Sequence, residues 1–524
     1  MSGAAGVSGA ALIGVDAGTS VIKAVAFEAD GREIAVASRP NAWTTLPDGG
    51  AEQDMRRTWA DVAAVLRELV ETNPGLSART AALAVTGQGD GCWLIDAEGA
   101  PVHDGWLWLD GRAGAEARAI AASPGADLIY RTTGAGVNVC QMRTHLRWMK
   151  AHAPALLARA ATALHPKDWL YFRLTGDRAT CPTEGVFTFG DFRTRAYSDA
   201  VIAALELDDL KRLLPPIVDG ARKAGALTAQ AAAQTGLPQG LPVCLGYVDI
   251  MCTALGAGLH DRAARPGLTV LGSTGMHMSF AADAGAVRLN PDRCGYVMAF
   301  PGAAYAQMQT NMAATLNVDW LLDLARGVLE AEGVTRSRAD LLAGLDARVL
   351  AARPGAALYH PYISAAGERG PFAEPDARAS FTGLDQSVGW FDMARAVFEG
   401  LALSARDCYA AMGPIPAEVR LAGGAARSAA ARRILAATLG ASVRVVRRAE
   451  PGAAGAVMMA ALQQGLYPDI DACVAAWVTP HLGAAEPPDP DLAALYDRLY
   501  PVYRATREAL APVWRDLAAA RRGR

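Results

Sequence analysis

The feature that most constrains the fold is a short pattern that occurs twice, near residue 16 and again near residue 272. In each copy, an apolar run typical of a β-strand ends at a tight turn rich in Gly, Ser or Thr, and a second strand-like run follows. The first turn is Asp16-Ala17-Gly18-Thr19-Ser20 and the second is Gly272-Ser273-Thr274-Gly275. This repetition predicts two related domains that face each other. We expect the boundary near residue 253, with domains at 1–253 and 254–524.

Strand-like and helix-like patterns alternate around both turns. The pattern predicts a meander of three strands over residues 11–15, 21–28 and 33–37. Asp54 is suited to cap a helix over 55–70, and residues 81–85 are predicted to form the next strand. The second half is predicted to contain strands at 268–271, 277–280, 418–421 and 442–446, and helices at 392–412, 428–439, 453–466 and 491–519. This alternation predicts an α/β fold in which helices cover mixed sheets.

Composition and charge exclude several classes of protein. Hydrophobic residues make up 52% of the 524 residues, so the chain can form large cores. The 50 Lys and Arg nearly balance the 53 Asp and Glu, which leaves no overall basic field for a nucleic acid or an anionic membrane. No apolar run approaches the ~20 residues of a membrane span. Eight cysteines without a C-x-x-C pair indicate reduced thiols and a cytoplasmic protein, and residues 1–10 are interpreted as a flexible leader instead of a signal peptide.

The two turns have the composition of a phosphate-binding site. Backbone N–H groups and hydroxyls in such turns face a ligand, and glycine allows the backbone to approach it. On the turn alone, an ordinary hairpin is an equal alternative for the first copy, but Lys23 returns a cation to the same neighbourhood and favours phosphate. The chain has no Walker A pattern, and the run Gly87-x-Gly89-x-Gly91 lacks the last glycine of a dinucleotide fingerprint.

Asp249 is an acid in an unusually apolar stretch, Leu245-Gly246-Tyr247-Val248-Asp249-Ile250-Met251. Buried carboxyl groups are rare unless they are paired or functional, so this pattern favours a catalytic or ligand-binding role over a solvated loop. Asp90 and Asp110 give weaker signals, because Asp beside Gly is also common in turns.

Together these segments resemble the FGGY family of carbohydrate kinases over nearly the whole chain. The order and spacing of the motifs carry the resemblance, although each motif is degenerate alone. The matching segments are the two turns, Glu52-Gln53-Asp54, Gln88-Gly89-Asp90-Gly91, Trp108-Leu109-Asp110-Gly111-Arg112, Gly246-Tyr247-Val248-Asp249, Ala379-Ser380-Phe381-Thr382-Gly383-Leu384 and Leu421-Ala422-Gly423-Gly424-Ala425-Ala426-Arg427-Ser428. One departure is His145, which stands where the family usually has a Lys three residues before Trp148, and we interpret it as structural.

The resemblance implies a two-domain actin-like (ribonuclease H-like) ATPase fold with an interdomain cleft. It also implies ATP and Mg²⁺ as cofactors, a small polyol as substrate, no nucleic acid or membrane partner, and it leaves a homodimer open. Asp249 would be the catalytic base, and Asp16 would hold the metal through water. The other implied site residues are Gly18, Thr19, Ser20, Lys23, Gly272, Ser273, Thr274 and Gly275 for the ATP phosphates, Gly423, Gly424, Ala425 and Arg427 for adenosine, and Gln88, Asp90, Trp108, Asp110 and Asp249 for the substrate.

The substrate turn distinguishes between acceptors. Ketose kinases of the family usually read Gln-Met-His-Gly where this chain has Gln88-Gly89-Asp90-Gly91, a form most similar to that of the kinases acting on erythritol. The expected reaction is therefore ATP-dependent phosphorylation of a primary hydroxyl of erythritol. A ketose or pentitol kinase of the xylulokinase type is the alternative enzyme, and an actin-like nucleotide-binding sugar sensor is the alternative that is not an enzyme. Asp249 favours the enzyme, since a sensor needs no base there.

Overall fold

The computed structural model describes residues 9–522. Residues 1–8 of the predicted leader lie outside the described residues. Among residues 9–522, every helix is either too short or too polar to cross a lipid bilayer.

The first half of the chain is built around a mixed sheet that is six strands wide in the described residues. Its order is β12-β13-β6-β1-β2-β3, with β1, β6 and β13 parallel and the meander β1-β2-β3 antiparallel. The strands of this half are β1 (Ala11–Ala17), β2 (Val21–Glu28), β3 (Glu33–Pro40), β4 (Thr44–Thr45), β5 (Ala51–Gln53), β6 (Thr80–Gly87), β7 (Trp93–Ile95), β8 (Gly105–Trp106), β9 (Thr162–Leu164), β10 (Gly190–Asp191), β11 (Ala196–Tyr197), β12 (Ala224–Ala226) and β13 (Pro242–Leu245).

Helices pack against this sheet, and a mainly helical region over residues 114–204 is added to the first half. The helices of the first half are α1 (Met55–Glu71), α2 (Leu76–Arg79), α3 (Gly114–Ala122), α4 (Ala126–Thr133), α5 (Met142–His152), α6 (Pro154–Arg159), α7 (Pro166–Thr175), α8 (Pro182–Phe189), α9 (Asp199–Ala204), α10 (Ala229–Thr235) and α11 (Asp249–Gly256). Helix α1 begins as predicted, because the Asp54 carboxylate accepts hydrogen bonds from the backbone N–H groups of Arg56 and Arg57.

The second half repeats the arrangement in a second mixed sheet, of order β16-β17-β15-β14-β20-β21. Its strands are β14 (Gly267–Leu271), β15 (Gly275–Ala281), β16 (Tyr296–Ala299), β17 (Tyr305–Asn311), β18 (Leu358–His360), β19 (Ser380–Thr382), β20 (Glu418–Ala422) and β21 (Ser442–Val445). Its helices are α12 (Thr315–Ala331), α13 (Arg338–Leu342), α14 (Leu345–Ala351), α15 (Trp390–Met412), α16 (Ala429–Leu439), α17 (Pro451–Gln463), α18 (Ile470–Trp477) and α19 (Pro490–Arg522).

The two sheets share one topology, which confirms the predicted internal repeat. In each, three antiparallel strands (β1-β2-β3 and β14-β15-β17) adjoin two parallel strands on the same side (β6-β13 and β20-β21). The predicted turns are the hairpins β1-β2 and β14-β15. The α/β class is therefore confirmed, while the boundary at residue 253, which falls within α11, stays a prediction.

Two helices from different halves cross with almost no side chain between them. Helix α11 ends the first half and α17 belongs to the second, yet both lie against the parallel strands of the first sheet. A methyl group added to Gly256 of α11 would overlap the carbonyl oxygen of Pro451, and one added to Gly455 of α17 would overlap the carbonyl oxygen of Cys252. The crossing therefore depends on a close approach that only glycine allows.

We expect Gly455→Ala to lower the free energy of unfolding by about 1–3 kcal/mol, since overlap with the backbone outweighs the ~0.5–1 kcal/mol that alanine gains over glycine in a helix. The matched control is Gly327→Ala in α12, where an added methyl group meets no atom within 4 Å. That control should gain up to ~1 kcal/mol. Urea unfolding of both variants makes the measurement, and equal stabilisation of the two would contradict the close crossing.

Candidate active site

The carboxyl ends of β1, β6 and β13 meet at one edge of the first sheet, where ligands of parallel α/β sheets usually bind. Asp16 lies near the end of β1, Gln88 follows β6, and Asp249 follows β13 as the first residue of α11. The sheet register pairs Asp16 with Thr86 on β6 and with Lys23 on β2. Residues that are far apart in the sequence are thus brought to one place.

A cleft of about 490 Å³ opens at this edge and is lined from both halves of the chain. It brings together eight of the sequence-predicted residues: Asp16, Gly18, Thr19, Gln88, Asp90, Trp108 and Asp249 from the first half, and Thr274 from the second. Of the predicted phosphate residues, Ser20, Lys23, Gly272, Ser273 and Gly275 belong to the two hairpins but do not line the cleft wall.

The loop before Asp249 is fixed by buried hydrogen bonds. The Thr86 hydroxyl donates to the carbonyl oxygen of Tyr247 at 2.6 Å, and the backbone N–H of Val248 donates to the Thr183 hydroxyl at 3.1 Å. The Asp249 carboxylate accepts the backbone N–H of Ile250 at 2.6 Å. Asp249 therefore enters the cleft from a rigid helix start.

Burial and mutual repulsion make the acids of the cleft hard to ionise. Burial, and next the charge of Asp16, raise the pKa of Asp249 to about 8. Burial, and next the charge of Glu450, raise the pKa of Asp16 to about 6. Two carboxyl groups close enough to influence each other in a shielded cleft are typical of a functional site.

Lys23 is engaged in an ion pair that joins the two halves. Its ammonium group donates to both carboxylate oxygens of Glu450, each at 2.9 Å, just before α17 begins. The lysine is thus held beside the first hairpin and Asp16, with its charge directed to Glu450.

A line of hydrogen bonds orders the wall next to the first hairpin. The indole N–H of Trp108 donates to the Thr19 hydroxyl at 2.8 Å, and that hydroxyl donates to the Gln88 side chain at 2.9 Å. The Gln88 amide donates to Gln53 at 2.8 Å, and Gln53 in turn donates to Asn41. The predicted substrate residues Gln88 and Trp108 are therefore connected to the phosphate turn.

Asp90 and Asp110 have different surroundings. Asp90 lies in the cleft with a positive φ of 55°; its Oδ2 accepts the Cys140 thiol at 3.5 Å, and its Oδ1 is buried with no partner among the described residues. Asp110 is buried outside the cleft lining, where it accepts the Ala51 N–H at 2.9 Å and forms an ion pair with Arg112 at 2.6 Å. Asp110 supports the wall through Arg112 and has no free oxygen facing the cleft.

The predicted adenosine residues border a separate pocket of about 460 Å³ in the second half. Gly424, Ala425 and Arg427 line it, together with apolar side chains such as Phe398, and Gly423 precedes them with a φ of 87°. The two sites lie side by side, because Val270 of β14 lines the cleft while the next residue, Leu271, lines the pocket.

Sequence reasoning did not find several residues of the cleft. Glu184 on α8 and Arg369 from the second half both line it, as do Thr253, Tyr296 and Thr310. Glu184 stands directly before the apolar run Gly185-Val186-Phe187. An acid beside apolar residues is the pattern that identified Asp249, and it was therefore present here as well. His145 is fully buried against Trp106 at a ring distance of 5.1 Å, and burial lowers its pKa to about 4, which agrees with a structural role.

Two related α/β halves lie around one cleft, and each contributes a hairpin turn to it. The model of the N-terminal domain of the FGGY family of carbohydrate kinases matches residues 11–256, and the model of its C-terminal domain matches residues 267–463. The chain belongs to the FGGY family of carbohydrate kinases. Membership of this kinase family implies ATP as the phosphoryl donor.

Relatives cover almost the full chain. An erythritol kinase from Brucella abortus (strain 2308) is 50% identical over 509 residues, which cover 97% of this chain and 98% of the relative. A xylulose kinase from Escherichia coli (strain K12) is 28% identical, covering 81% of this chain and 84% of the relative. Among solved structures, the xylulose kinase from Rhodospirillum rubrum has a TM-score of 0.87 and 30% identity, covering 96% of this chain and 100% of that one.

The raised pKa of Asp249 predicts how stability depends on pH. A carboxyl group with a higher pKa in the folded than in the unfolded state binds more protons when folded, so its ionisation costs stability as the pH rises from about 4 to about 8. We expect Asp249→Asn, which removes this cost, to become more stable relative to wild type as the pH rises, by up to ~1.4 kcal/mol per pH unit.

Urea unfolding of wild type and Asp249→Asn at pH 5, 6.5 and 8 measures this difference. Asp104→Asn is the control, because Asp104 is exposed and outside the cleft lining. A difference between wild type and Asp249→Asn that stays constant across the three pH values would show that Asp249 ionises without cost.

Proposed function

We propose that the protein is an ATP-dependent kinase that phosphorylates a primary hydroxyl of erythritol. The observation that carries the proposal is Asp249, a partly buried carboxyl group at a helix start in a cleft that also contains Asp90 with a free carboxyl oxygen. The 50% identity to the Brucella abortus erythritol kinase supports erythritol as the acceptor. The 28% identity to a xylulose kinase is the support for a ketose as the alternative acceptor.

In this proposal, the nucleotide spans the adenosine pocket and the cleft. Its base and ribose occupy the pocket at Gly423, Gly424, Ala425 and Arg427, and its phosphates pass the second hairpin at Ser273 and Thr274 towards the first hairpin. The proximity of the two sites across Val270 and Leu271 supports this path. Lys23 would exchange Glu450 for a phosphate of the nucleotide, since both ligands offer negative oxygens at the same lysine.

Asp249 acts as the general base. Its carboxylate accepts the proton of the primary hydroxyl while that oxygen attacks the terminal phosphoryl group, and the bond to the leaving diphosphate breaks. Phosphoryl transfer relies mostly on positioning and charge stabilisation, so a rigidly held base adds to what the two hairpins and the metal ion would contribute. A closed cleft also excludes water, which competes as an acceptor.

The residues present fit Mg²⁺ that arrives with the nucleotide. Among the described residues, no three His, Cys, Asp or Glu side chains are grouped as a metal cage. Mg²⁺ in kinases is typically held by one or two carboxylates, water and the phosphates, and the partly buried Asp16 beside the first hairpin provides such a carboxylate. The ion would neutralise phosphate charge there, and its positive charge would lower the pKa of Asp16, which burial and next the charge of Glu450 raise.

The acceptor side of the cleft suits a polyol. An ionised carboxylate only accepts hydrogen bonds, and each hydroxyl of a polyol can donate one, so the free oxygen of Asp90 is matched by a secondary hydroxyl. Gln88 and Trp108 complete this side, and Asp110 supports it from behind through Arg112. A homodimer and a cytoplasmic location remain predictions of the sequence.

We expect Asp249→Asn to lower kcat by roughly 10²- to 10⁴-fold, because the amide keeps the shape of the side chain but cannot accept the proton. Binding of ATP, measured by calorimetry, should change little. The exposed control Asp104→Asn should keep wild-type kcat. If Asp249→Asn retained more than half of the wild-type kcat, Asp249 would not be the base.

A coupled assay of ADP release tests the acceptor with erythritol, glycerol, xylitol and D-xylulose. We expect erythritol to give the highest kcat/KM, because an acceptor that leaves a buried carboxylate unpaired loses roughly 1–3 kcal/mol, or about 5- to 150-fold. Asp90→Ala should reduce this preference more than it reduces ATP affinity. If D-xylulose is the best substrate of the wild-type enzyme, the kinase function stands but erythritol is the wrong acceptor.

A further inference from the structure

Glu184 is a buried acid in the cleft for which the proposed mechanism has no role. It lies near the start of α8, its side chain is fully buried, and it lines the cleft together with Asp90 and Asp249. Neither of its carboxyl oxygens has a hydrogen-bond partner among residues 9–522. A buried carboxyl group without a hydrogen-bond donor is costly, so its persistence in a ligand cleft points to a ligand that supplies one.

A charged chain holds Glu184 from the side away from the cleft. His165 Nε2 lies 3.4 Å from Glu184 Oε2, and His165 Nδ1 lies 3.1 Å from Asp168 Oδ2. The other oxygen of Asp168 accepts the Lys167 ammonium group, which is fully buried too. Burial alone would lower the pKa of His165, but the charges of Glu184 and Asp168 raise it above its ordinary value, and the Lys167 ammonium group lies at the end of this chain.

The front of Glu184 faces the substrate turn. A methyl group added to Gly89 would come within 2.7 Å of Glu184 Oε1, so the segment between Gln88 and Asp90 passes directly beside this oxygen. The Asp90 side chain lies close enough for its charge to act on Glu184. The acceptor that reaches Asp90 is therefore also within reach of Glu184.

The chemistry of the cleft selects the kind of group that Glu184 binds. It shares the cleft with the acids Asp90 and Asp249, which only accept hydrogen bonds when ionised, and with the apolar side chains Phe187 and Val248. The cation Arg369 lines the cleft from the second half, where its Nε donates to the Thr310 hydroxyl. A phosphate is repelled by the like charge, and no metal-binding group of side chains exists here in the described part of the chain. An alcohol hydroxyl of the acceptor remains as the donor.

We infer that Glu184 binds the acceptor, accepting a hydrogen bond from a secondary hydroxyl and thereby selecting polyols that carry hydroxyls on adjacent carbons. The inference rests on the proposed function, since it assigns a second contact of the same substrate. Glu184 determines specificity, while Asp249 performs the proton transfer. The chain through His165, Asp168 and Lys167 positions the carboxylate.

The test compares erythritol with the two enantiomers of butane-1,2,4-triol, which lack one secondary hydroxyl. We expect the wild-type enzyme to prefer erythritol by roughly 5- to 150-fold in kcat/KM, because the triols leave a buried carboxylate unpaired. Glu184→Gln keeps the size of the side chain. In this variant, the ratio of kcat/KM for erythritol to kcat/KM for at least one triol enantiomer should fall at least threefold, mostly because KM for erythritol rises. Glu98→Gln, at an exposed turn, is the control and should keep the wild-type ratio.

A merely structural role of Glu184 would lower the activity towards erythritol and the triols alike, so an unchanged ratio in a folded Glu184→Gln variant overturns the inference. If thermal melting shows that this variant is unfolded, Glu184→Asp replaces it, because the shorter side chain keeps the charge beside His165 but withdraws it from the cleft. The ratio of kcat/KM for erythritol and the triols is then measured for Glu184→Asp, with the same criteria. A wild-type enzyme that uses either triol within twofold of erythritol also overturns the inference. If wild type phosphorylates no tetritol, the proposed function itself fails, which is a different result from an unchanged ratio.

Discussion

Four carboxyl groups share one shielded cleft, and the surrounding structure is what allows them to coexist. Burial is the first cause of the raised pKa of Asp16, Asp90, Glu184 and Asp249, and repulsion between neighbouring acids adds to it for three of them. Most of the cations that offset these acids lie outside the cleft lining: Lys23 acts on Asp16, Arg143 acts on Asp90, and His165 and Lys167 act on Glu184. Arg369, which also acts on Asp90, is the cation that lines the cleft itself among the described residues. Such a cleft favours ligands that bring a cation or hydrogen-bond donors.

The repeated topology explains how a single cleft receives contributions from both halves. Each sheet presents its first hairpin at the carboxyl edge of its parallel strands, and the two edges face the same space, since Thr19 and Thr274 line one cleft. In the second half, the same edge continues into the pocket at Leu271 and Gly424. One structural unit, used twice, thus provides the proposed acceptor side in the first half and the proposed nucleotide side in the second.

The sequence predicted those parts of the site whose signals are local. The hairpins follow from apolar runs that end at Gly, Ser and Thr, the cap of α1 from Asp54, and Asp249 from an acid within apolar neighbours. Glu184 carries the same signal as Asp249 but stands in the first turn of a helix, where an acid is also common simply because it interacts favourably with the helix N-terminus. Arg369 carries no local signal, because only the packing of its loop beside Thr310 brings it to the cleft.

Asp110 and Lys23 have surroundings that the sequence did not predict, because their partners are not visible in a local sequence pattern. Asp110 is occupied by Arg112, two residues later, and by the backbone of Ala51, so it stabilises the wall of the cleft from outside. Lys23 is engaged by Glu450, which is more than 400 residues away in the sequence. A pairing of that range depends on the crossing of α11 and α17, which brings the start of α17 to the first hairpin.

That crossing also restricts how the sequence can change over time. Gly256 and Gly455 each face the backbone of the opposite helix, so a larger residue at either one separates both helices and loosens the contact at the other. Once the helices are apart, a second larger residue adds little further cost, and reversal of one change alone restores little. The two positions are therefore expected to vary together or not at all in the evolution of this chain, and recombination between homologous genes at a point between them is constrained in the same way.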